Sequence, residues 1–584
     1  MNVVGGIYMN ESKGMSRRNF LAGAGAASAL GALALAGCAP KTVDETAEKA
    51  VAAGGAAQNA AGSDWLGEAP EIGDIAETKE TDILVVGAGM SGIMAGATLA
   101  ELGAKYIIVD KAPDAAAAHF DIGAIHSRYQ IEQGIDFSEG RWLNEWARYA
   151  SFKNDQSVAR TWVENSGATV EWIADTYEKH FGEASEVVVD VENGGDGQAG
   201  GTLYFIPPEC HHISNPGFVD DRGRTDHVKA MTQVIVNDGG EVLYNYDLQK
   251  LVQGDDGAVA GAIFSTPDGN IQINAAKGVI LATGGYPANP DMLKARDPEA
   301  VRCVTSLNYN QNNTGAGIKA ALWAGADMDA VGATMVFDRG VVAPGVDAGM
   351  DETGAWATNG QFNLGSQPFL KVDRNGERIA NESANYDAIP FASAQHPGGV
   401  WCQVFDVNAP DDVQRFQTQG CSAMTWKMQL KDKTVDEAYD EKYLSKGLMM
   451  KADTLDELAD KLGFTGDAKT TFLATVDAYN ALYDAGEDTQ FGKEAYRLSA
   501  IREAPFYGAW FGGSLLTTLD GVRINKHTQV LGKDGRPIKG LHAVGTTSGS
   551  YYAGNYPVYL VGNCLGRQVT FGRYAARFLA GDIA

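Results

Sequence analysis

The sequence is poor in cysteine, in positive charge and in long apolar runs, and each scarcity removes a class of protein. Its 584 residues hold six cysteines, Cys38, Cys210, Cys303, Cys402, Cys421 and Cys564, with no CxxC and no CxxCH among them. That excludes a c-type haem module, and no clustered zinc or iron–sulfur site is visible, so no metal ligand is assigned. Lys and Arg number 47 against 74 Asp and Glu, a net charge of −27 that argues against nucleic-acid binding. The Ala/Gly/Leu run ending at Leu35 is too short and too rich in glycine to span a bilayer stably. What is present is globular, 45% hydrophobic and 21% charged, and long enough for two or more domains.

The chain is organised around Thr81 to Lys111. Asp82 to Val86 reads as a buried strand, Gly87-Ala88-Gly89-Met90-Ser91-Gly92 follows, and an apolar helix runs to about Gly103. Tyr106 to Val109 is a second strand, ending at Asp110 and Lys111. In such a βαβ unit Gly87 makes the tight turn, Gly89 admits a pyrophosphate, and Gly92 allows close helix-to-strand packing. The helix N-terminus offers N–H groups to phosphates, and Asp110 stands where an acid grips a ribose hydroxyl. No second complete copy follows. Gly315-Ala316-Gly317 with Ala320 imitates the pattern, but no clear strand runs into it. One unit with a long remaining chain fits bound FAD better than NAD.

Near the start, Ser16-Arg17-Arg18-Asn19-Phe20-Leu21 precedes the apolar run and then Leu35-Ala36-Gly37-Cys38. Twin arginines before a moderately apolar segment resemble a Tat export signal, and Leu-Ala-Gly-Cys resembles a lipobox. The expectation is export, with residues 1–38 as signal, lipidated Cys38 on the outer face of the cytoplasmic membrane, and residues 39–78 as a flexible tether. An NAD(P)H pool is absent there, so electrons are expected from a membrane quinol or cytochrome partner.

Downstream, Arg141 to Phe181 gives helical patterns with Trp142, Trp146, Trp162 and Trp172 on apolar faces. Asp226 to Asp238 reads as a helix and Glu241 to Tyr246 as a strand. Strands near 248–253, 258–265 and 270–274 are joined by Gly254-Asp255-Asp256-Gly257 and Pro267-Asp268-Gly269-Asn270. A separate buried strand, Gly278 to Ala282, ends in Thr283-Gly284-Gly285. The opening βαβ unit, this meander, VILATGG, the closing GLHAVG (540–545) and TFGR (570–573) resemble the flavoprotein subunit family of fumarate reductases. That family includes urocanate reductase and 3-ketosteroid dehydrogenases.

The resemblance implies an α/β fold: a Rossmann-like FAD-binding domain in two chain segments (79–335 and 509–584) with an inserted α+β capping domain (336–508). The cap should contain a hairpin at Asp373-Arg374-Asn375-Gly376 and helices near 454–462 and 466–485, the first opened by a capping box at Thr454 to Glu457. It also implies contacts to FAD from Gly123 and Ala124, from Ala282, Thr283 and Gly284, and from Gly545. The flavin ring would rest at the N-terminus of a helix spanning Asn563 to Ala580, near Asn563, Cys564 and Leu565, whose dipole favours the anionic reduced ring. Cys564 is read as packing. His119, in HFDIGAIH, is out of register with the histidine that binds flavin covalently in some relatives, so FAD should be non-covalent.

The active-site positions depart from the fumarate pattern. Tyr386, in Asn381-Glu382-Ser383-Ala384-Asn385-Tyr386-Asp387, replaces the family's acid arginine. Tyr559 falls on its carboxylate-binding arginine and Leu516 on a histidine. The proton-relay positions fall on about Phe362 and Gly365. Fumarate is therefore not the expected substrate. Tyrosine is protonated at neutral pH, with an unperturbed pKa of about 10, and can act as general acid. Tyr551, Tyr552, Tyr556 and Tyr559 form an aromatic cluster by the expected flavin edge, and Arg339 falls near the first family histidine. His211-His212 reads as a polar loop without a third metal ligand. The expected activity is reduction of an activated C=C bond in an aromatic or polycyclic enone or enoate. Reduced flavin gives hydride to the β-carbon, Tyr386 protonates the α-carbon, and Tyr556, Tyr559 or Arg339 polarises the carbonyl. The alternatives are a dehydrogenase passing electrons to quinone, and a non-enzymatic electron carrier.

Overall fold

A computed structural model of the chain describes residues 65–115, 121–182, 185–189, 207–219, 224–308, 311–358, 360–384, 387–418, 420–423, 425–558 and 560–584. These belong to one unit, Asp64–Ala584. The signal with Cys38, the tether as far as residue 64, His119, Tyr386 and Tyr559 lie outside the described residues. No helix among the described residues is long and apolar enough to cross a membrane.

The first sheet has eight strands. Across it run Gln529–Leu531, Pro537–Ala543, Gly269–Leu281, Ile75–Val86, Tyr106–Val109 and Val242–Leu243, in that order. Asp247–Gln253 and Val259–Thr266 form the antiparallel meander that ends in Gly269–Leu281. Ile83 to Val86 are fully or almost fully buried, as a central parallel strand covered on both faces requires. They pair in parallel with Tyr106–Val109 on one side and Gly278–Leu281 on the other.

Two expectations about this sheet are corrected. The opening strand starts at Ile75, inside the stretch read as tether, because Ile75 and Glu77 to Thr81 pair with Asn270 to Ala275. Its outer half is mostly exposed, so it carries no apolar alternation for a sequence reading to detect. The strands read as 270–274 and 278–282 are one continuous strand, Gly269–Leu281. Gly278 does not interrupt it. A Cβ there would lie 2.8 Å from the Gly540 carbonyl oxygen, so the glycine marks close approach of the neighbouring strand.

The second sheet has six strands built around Phe506–Thr518. One half of that strand pairs with Trp401–Phe405 and Met450–Ala452, the other with Thr334–Val342 and Val304–Leu307. Leu370–Val372 closes one edge. The sheet thus draws on residues 304–518, wider than the 336–508 stretch assigned to a cap. Asp373 to Gly376 turns back on itself as a hairpin, with Val372 bridged to Arg378. The helices Leu455–Leu462 and Gly466–Ala485 cover this sheet. At the first, Thr454 accepts the Glu457 N–H at 3.1 Å. A small third sheet pairs Ile122–Gly123, Cys210–Ile213 and Val187–Val189.

Helices Glu139–Tyr149 and Gln156–Phe181 bring Trp142, Trp146 and Trp162 into one stack, with ring centroids 5.7 and 4.6 Å from Trp142. Aromatic burial of this kind fixes the two helices against the loop that precedes the last helix, since Trp146 also meets Tyr551 at 4.5 Å.

Candidate functional site

The turn after the first strand is built as a phosphate cradle. Gly87 has φ +102°, and a Cβ on it would stand 2.4 Å from the Ala282 carbonyl oxygen. A Cβ on Gly92 would stand 1.7 Å from the Gly87 carbonyl oxygen. A Cβ on Gly89 would meet nothing within 4 Å. Two glycines are therefore demanded by the protein's own backbone, and the middle one by space left open for something else. Helix Met90–Glu101 starts at Gly89 with no side-chain cap, so its first N–H groups face that space. This observation fits a bound pyrophosphate.

The remaining sequence-predicted cofactor residues gather around the same turn. Asp110 accepts the Ala88 N–H at 2.6 Å and the Ala112 N–H at 2.7 Å, so it ties the turn to the end of the second strand. The Ala282 N–H reaches the Val86 carbonyl at 2.8 Å. Thr283 and Thr547 hydroxyls are 3.2 Å apart, and Thr547 also donates to the Gly284 carbonyl. Gly545 packs on Ser91, where a Cβ would stand 2.4 Å from the hydroxyl. Gly572 of the last helix approaches the Ser91 carbonyl as closely. Lys111 reaches the Thr314 hydroxyl at 3.5 Å. The look-alike at Gly315 begins helix Ala316–Trp323; the preceding strand, Val304–Leu307, belongs to the second sheet and ends well before the turn.

Helix Asn563–Ala580 forms with the expected bounds. Gly562 at φ +79° precedes it, without a side-chain cap. Gly123 and Gly566 let the short strand at Ile122 run against this N-terminus: the Gly123 N–H donates to the Gly562 carbonyl at 2.8 Å, and a Cβ on Gly566 would clash with the Gly123 carbonyl. Ala124 is held by the Glu209 carbonyl. Three tyrosines fasten the helix start. Tyr551 accepts from the Asn563 amide at 3.2 Å, Tyr552 donates to its carbonyl at 3.3 Å, and the Tyr556 hydroxyl accepts the Cys564 N–H at 3.2 Å. Burial raises Tyr551 and Tyr552 well above the ordinary phenol range, so both stay protonated. The buried Arg567 guanidinium lies over both rings. Cys564 is half-buried, its thiol raised by burial and reached by the Gln568 amide at 3.4 Å, which suits packing. Leu565 follows in the first turn.

Above this lies the second sheet. Phe337 pairs with Ser514 and Gly340 with Gly512, so Asp338 and Arg339 together oppose Gly513 in a bulge. A bulge re-aims side chains that a regular strand would send to opposite faces. The Arg339 Nε donates to the Ser366 hydroxyl at 2.8 Å, and that hydroxyl donates to Asp338 at 2.5 Å. Phe362 and Gly365, the positions that the resemblance matches to the family's proton relay, carry no ionisable group. Phe362 is buried and stacked on Tyr443 at 3.8 Å, and Gly365 lies where a Cβ would meet the Asp338 carbonyl at 2.2 Å. Tyr386 and Tyr559 lie outside the described residues, so Arg339 and Tyr556 are the proposed active-site residues whose surroundings are known.

Sequence reasoning missed Asp338 and Asp387. Neither carboxyl is singled out by spacing or by the resemblance. A charged residue in an otherwise apolar strand, Phe337-Asp338-Arg339, was the available signal. It also misread His211-His212. They lie in the strand Cys210–Ile213, with His211 buried and hydrogen-bonded to Ser127 at 2.7 Å and His212 paired with Asp121 at 2.5 Å. Asp121, Cys210 and His212 bring one donor atom each within 4.8 Å of one another, an arrangement that spacing in sequence hid.

Comparison with known proteins agrees with this geometry. The family described as FAD binding domain matches residues 82–565. The chain is 26% identical to the vinyl phenol reductase of Lactiplantibacillus plantarum, over 87% of this chain and 97% of that protein. It is 26% identical to the NADH:fumarate oxidoreductase of Klebsiella pneumoniae, of which it spans 48%. In fold it resembles the 3-ketosteroid-Δ4-(5α)-dehydrogenase of Rhodococcus jostii, with a TM-score of 0.64 and 21% identity over 88% of this chain and 99% of that one. The chain belongs to this FAD-binding family, as a flavin-dependent oxidoreductase with an α/β fold.

Proposed function

We propose that the protein reduces an activated C=C bond of an aromatic or polycyclic enone or enoate. The observation that carries this reading is the buried Phe362 ring, stacked on Tyr443 at 3.8 Å, at about the position that the resemblance matches to the proton relay of fumarate reductases. The vinyl phenol reductase relative, named for a phenolic alkene, supports an aromatic C=C acceptor, though not the carbonyl that the proposal adds. The Gly87–Gly92 turn and Asp110 would hold FAD, which when bound and reduced would supply the hydride. The N–H groups at the start of helix Asn563–Ala580 stabilise negative charge beside them, and Tyr551, Tyr552 and Tyr556 hold that helix end in place. Tyr386 gives a proton to the α-carbon. Arg339, with Tyr556 or Tyr559, polarises the carbonyl.

The twin-arginine segment and Cys38 support export and lipid anchoring, hence a quinol or cytochrome electron donor and non-covalent FAD acquired before export. Changing Tyr386→Phe should lower turnover at least ~100-fold, as for loss of a general acid, with FAD content unchanged; near-normal turnover removes that role. The likeness to a ketosteroid dehydrogenase supports the reverse direction as a second reading. The midpoint potential of the bound flavin against candidate couples separates the two: a potential well above that of the alkene couple favours dehydrogenation.

A further inference from the structure

We propose that Asp121, Cys210 and His212 form a binding site for one zinc-class divalent ion, a clamp on the small third sheet. None of the three belongs to the proposed flavin or substrate contacts. Strand geometry explains why they meet. Ile122 pairs with His211 and Gly123 with Cys210 in antiparallel register, so the next position outward sets Asp121 opposite His212. Successive residues of a strand face opposite sides, which puts Cys210 and His212 on one face and His211 on the other. His211 is buried there, bonded to the Ser127 hydroxyl at 2.7 Å and to the Glu209 carbonyl at 2.8 Å. The His212 Nδ1 and an Asp121 carboxylate oxygen are 2.5 Å apart. The Cys210 thiol joins them: one donor atom from each residue lies within 4.8 Å of the other two, and no other such group of three occurs among the described residues.

The donor set selects the ion. Thiolate sulfur and imidazole nitrogen suit zinc and its first-row neighbours, whereas calcium and magnesium require a shell of oxygens. Bond lengths of about 2.3 Å to sulfur and about 2.0–2.2 Å to nitrogen and oxygen place tetrahedral donors roughly 3.3–3.7 Å apart. Asp121 and His212 would open by about 1 Å and the thiol close by at most about 1.5 Å to reach that spacing, within the range of side-chain rotation. The side chains of His212 and Asp121 are 43% and 45% exposed and give the ion a way in from solvent, with Cys210 buried at the base. As the S–Zn bond forms the S–H bond breaks, its proton passes to solvent, and water fills the fourth position; no electron moves. The sheet has a use for such a link. Its strands of two, four and three residues are too short for pairing alone to hold. A bare Asp121–His212 pair at this exposure contributes at most about 1 kcal/mol. An ion joining both strands would also brace the last helix. The Gly123 N–H donates to the Gly562 carbonyl at 2.8 Å, and a Cβ on Gly562 would stand 3.1 Å from the Asp121 carbonyl oxygen.

The test strips the FAD-loaded full chain of metal with a chelator, keeps its thiols reduced, and titrates it with zinc and separately with cobalt(II). The parent should bind a single zinc per chain. Cobalt should give the visible absorption of a tetrahedral cobalt–thiolate centre, at wavelengths longer than the flavin band. His212→Ala and Cys210→Ser should each weaken zinc binding more than ~100-fold, and Asp121→Asn at least ~10-fold. Cys210→Ser should also abolish the cobalt–thiolate absorption. Saturating zinc should raise the melting temperature of the parent by about 2 °C and leave that of His212→Ala unmoved. Zinc held by the parent no tighter than ~1 mM, or equally well by the parent and the variants, overturns the proposal. Cobalt bound without a thiolate band also overturns it, marking a carboxylate surface only. Should Cys210→Ser fail to fold, His212→Ala, altered at an exposed ring, decides. No readout depends on turnover.

Discussion

Gly89 and Gly92 are three residues apart in one turn, yet the structure asks different things of them. Alanine at Gly92 drives a methyl into the Gly87 carbonyl, backbone that cannot move aside. Alanine at Gly89 meets nothing of the protein. Gly89→Ala should therefore melt like the parent when flavin-free but bind FAD at least ~10-fold more weakly, about 1.4 kcal/mol. Gly92→Ala should lose more than ~3 kcal/mol of stability in the flavin-free protein as well. Titration calorimetry and thermal unfolding of both variants check the contrast. Equal loss in the two would mean that the space beside Gly89 is not for a ligand. Asp387 adds a residue-scale consequence. A carboxyl with pKa about 7 when folded, and about 3.9 when unfolded, favours the folded state below both values. That advantage is lost between pH ~4 and ~7, at most about 4 kcal/mol.

At the scale of elements, the segment leading into Tyr386 and Asp387 is anchored by a buried ion cluster. Arg378 makes paired bonds to Glu382, both at 2.8 Å, and to Asp488 at 3.0 and 2.7 Å. Lys493 reaches Glu382 at 3.3 Å and the Tyr479 hydroxyl at 2.6 Å. Burial alone would raise Glu382, but Lys493 and Arg378 outweigh it and hold its pKa below the ordinary value. Its contribution is therefore present at neutral pH and is lost as pH falls through the folded pKa. Arg378→Ala removes the paired bonds from two buried carboxylates, leaving Glu382 to Lys493 and Asp488 to backbone N–H groups, and should cost about 3 kcal/mol, measured by urea unfolding. A loss under ~1 kcal/mol would mean that the cluster does not anchor the segment.

Elements were also where the sequence was most and least legible. Strand Tyr106–Val109 and helix Asn563–Ala580 have their predicted ends, because an apolar run bounded by glycine or by charge marks both limits. The outer half of Ile75–Val86 was hidden by its exposure, and the continuity of Gly269–Leu281 by a glycine that serves packing. The cradle was readable residue by residue because its spacing is local. The burial of Asp338 and Asp387, like the pairing of Asp121 with His212, depends on contacts between distant segments and leaves no local pattern.

For the whole molecule, the first sheet carries the glycine turn, three tyrosines fasten the start of the last helix, and the second sheet carries the bulged strand with Asp338 and Arg339; the proposed reading is that they serve an acceptor other than a dicarboxylate. The measurement that bears most directly on this account is flavin reoxidation, followed anaerobically with dye-reduced holoenzyme against cinnamates, enones, steroids, urocanate and fumarate. An aromatic or polycyclic enone or enoate should restore the oxidised flavin spectrum with stoichiometric loss of its double bond, while fumarate leaves the flavin reduced. Reoxidation by fumarate at a comparable rate, or by none of these acceptors, would contradict it.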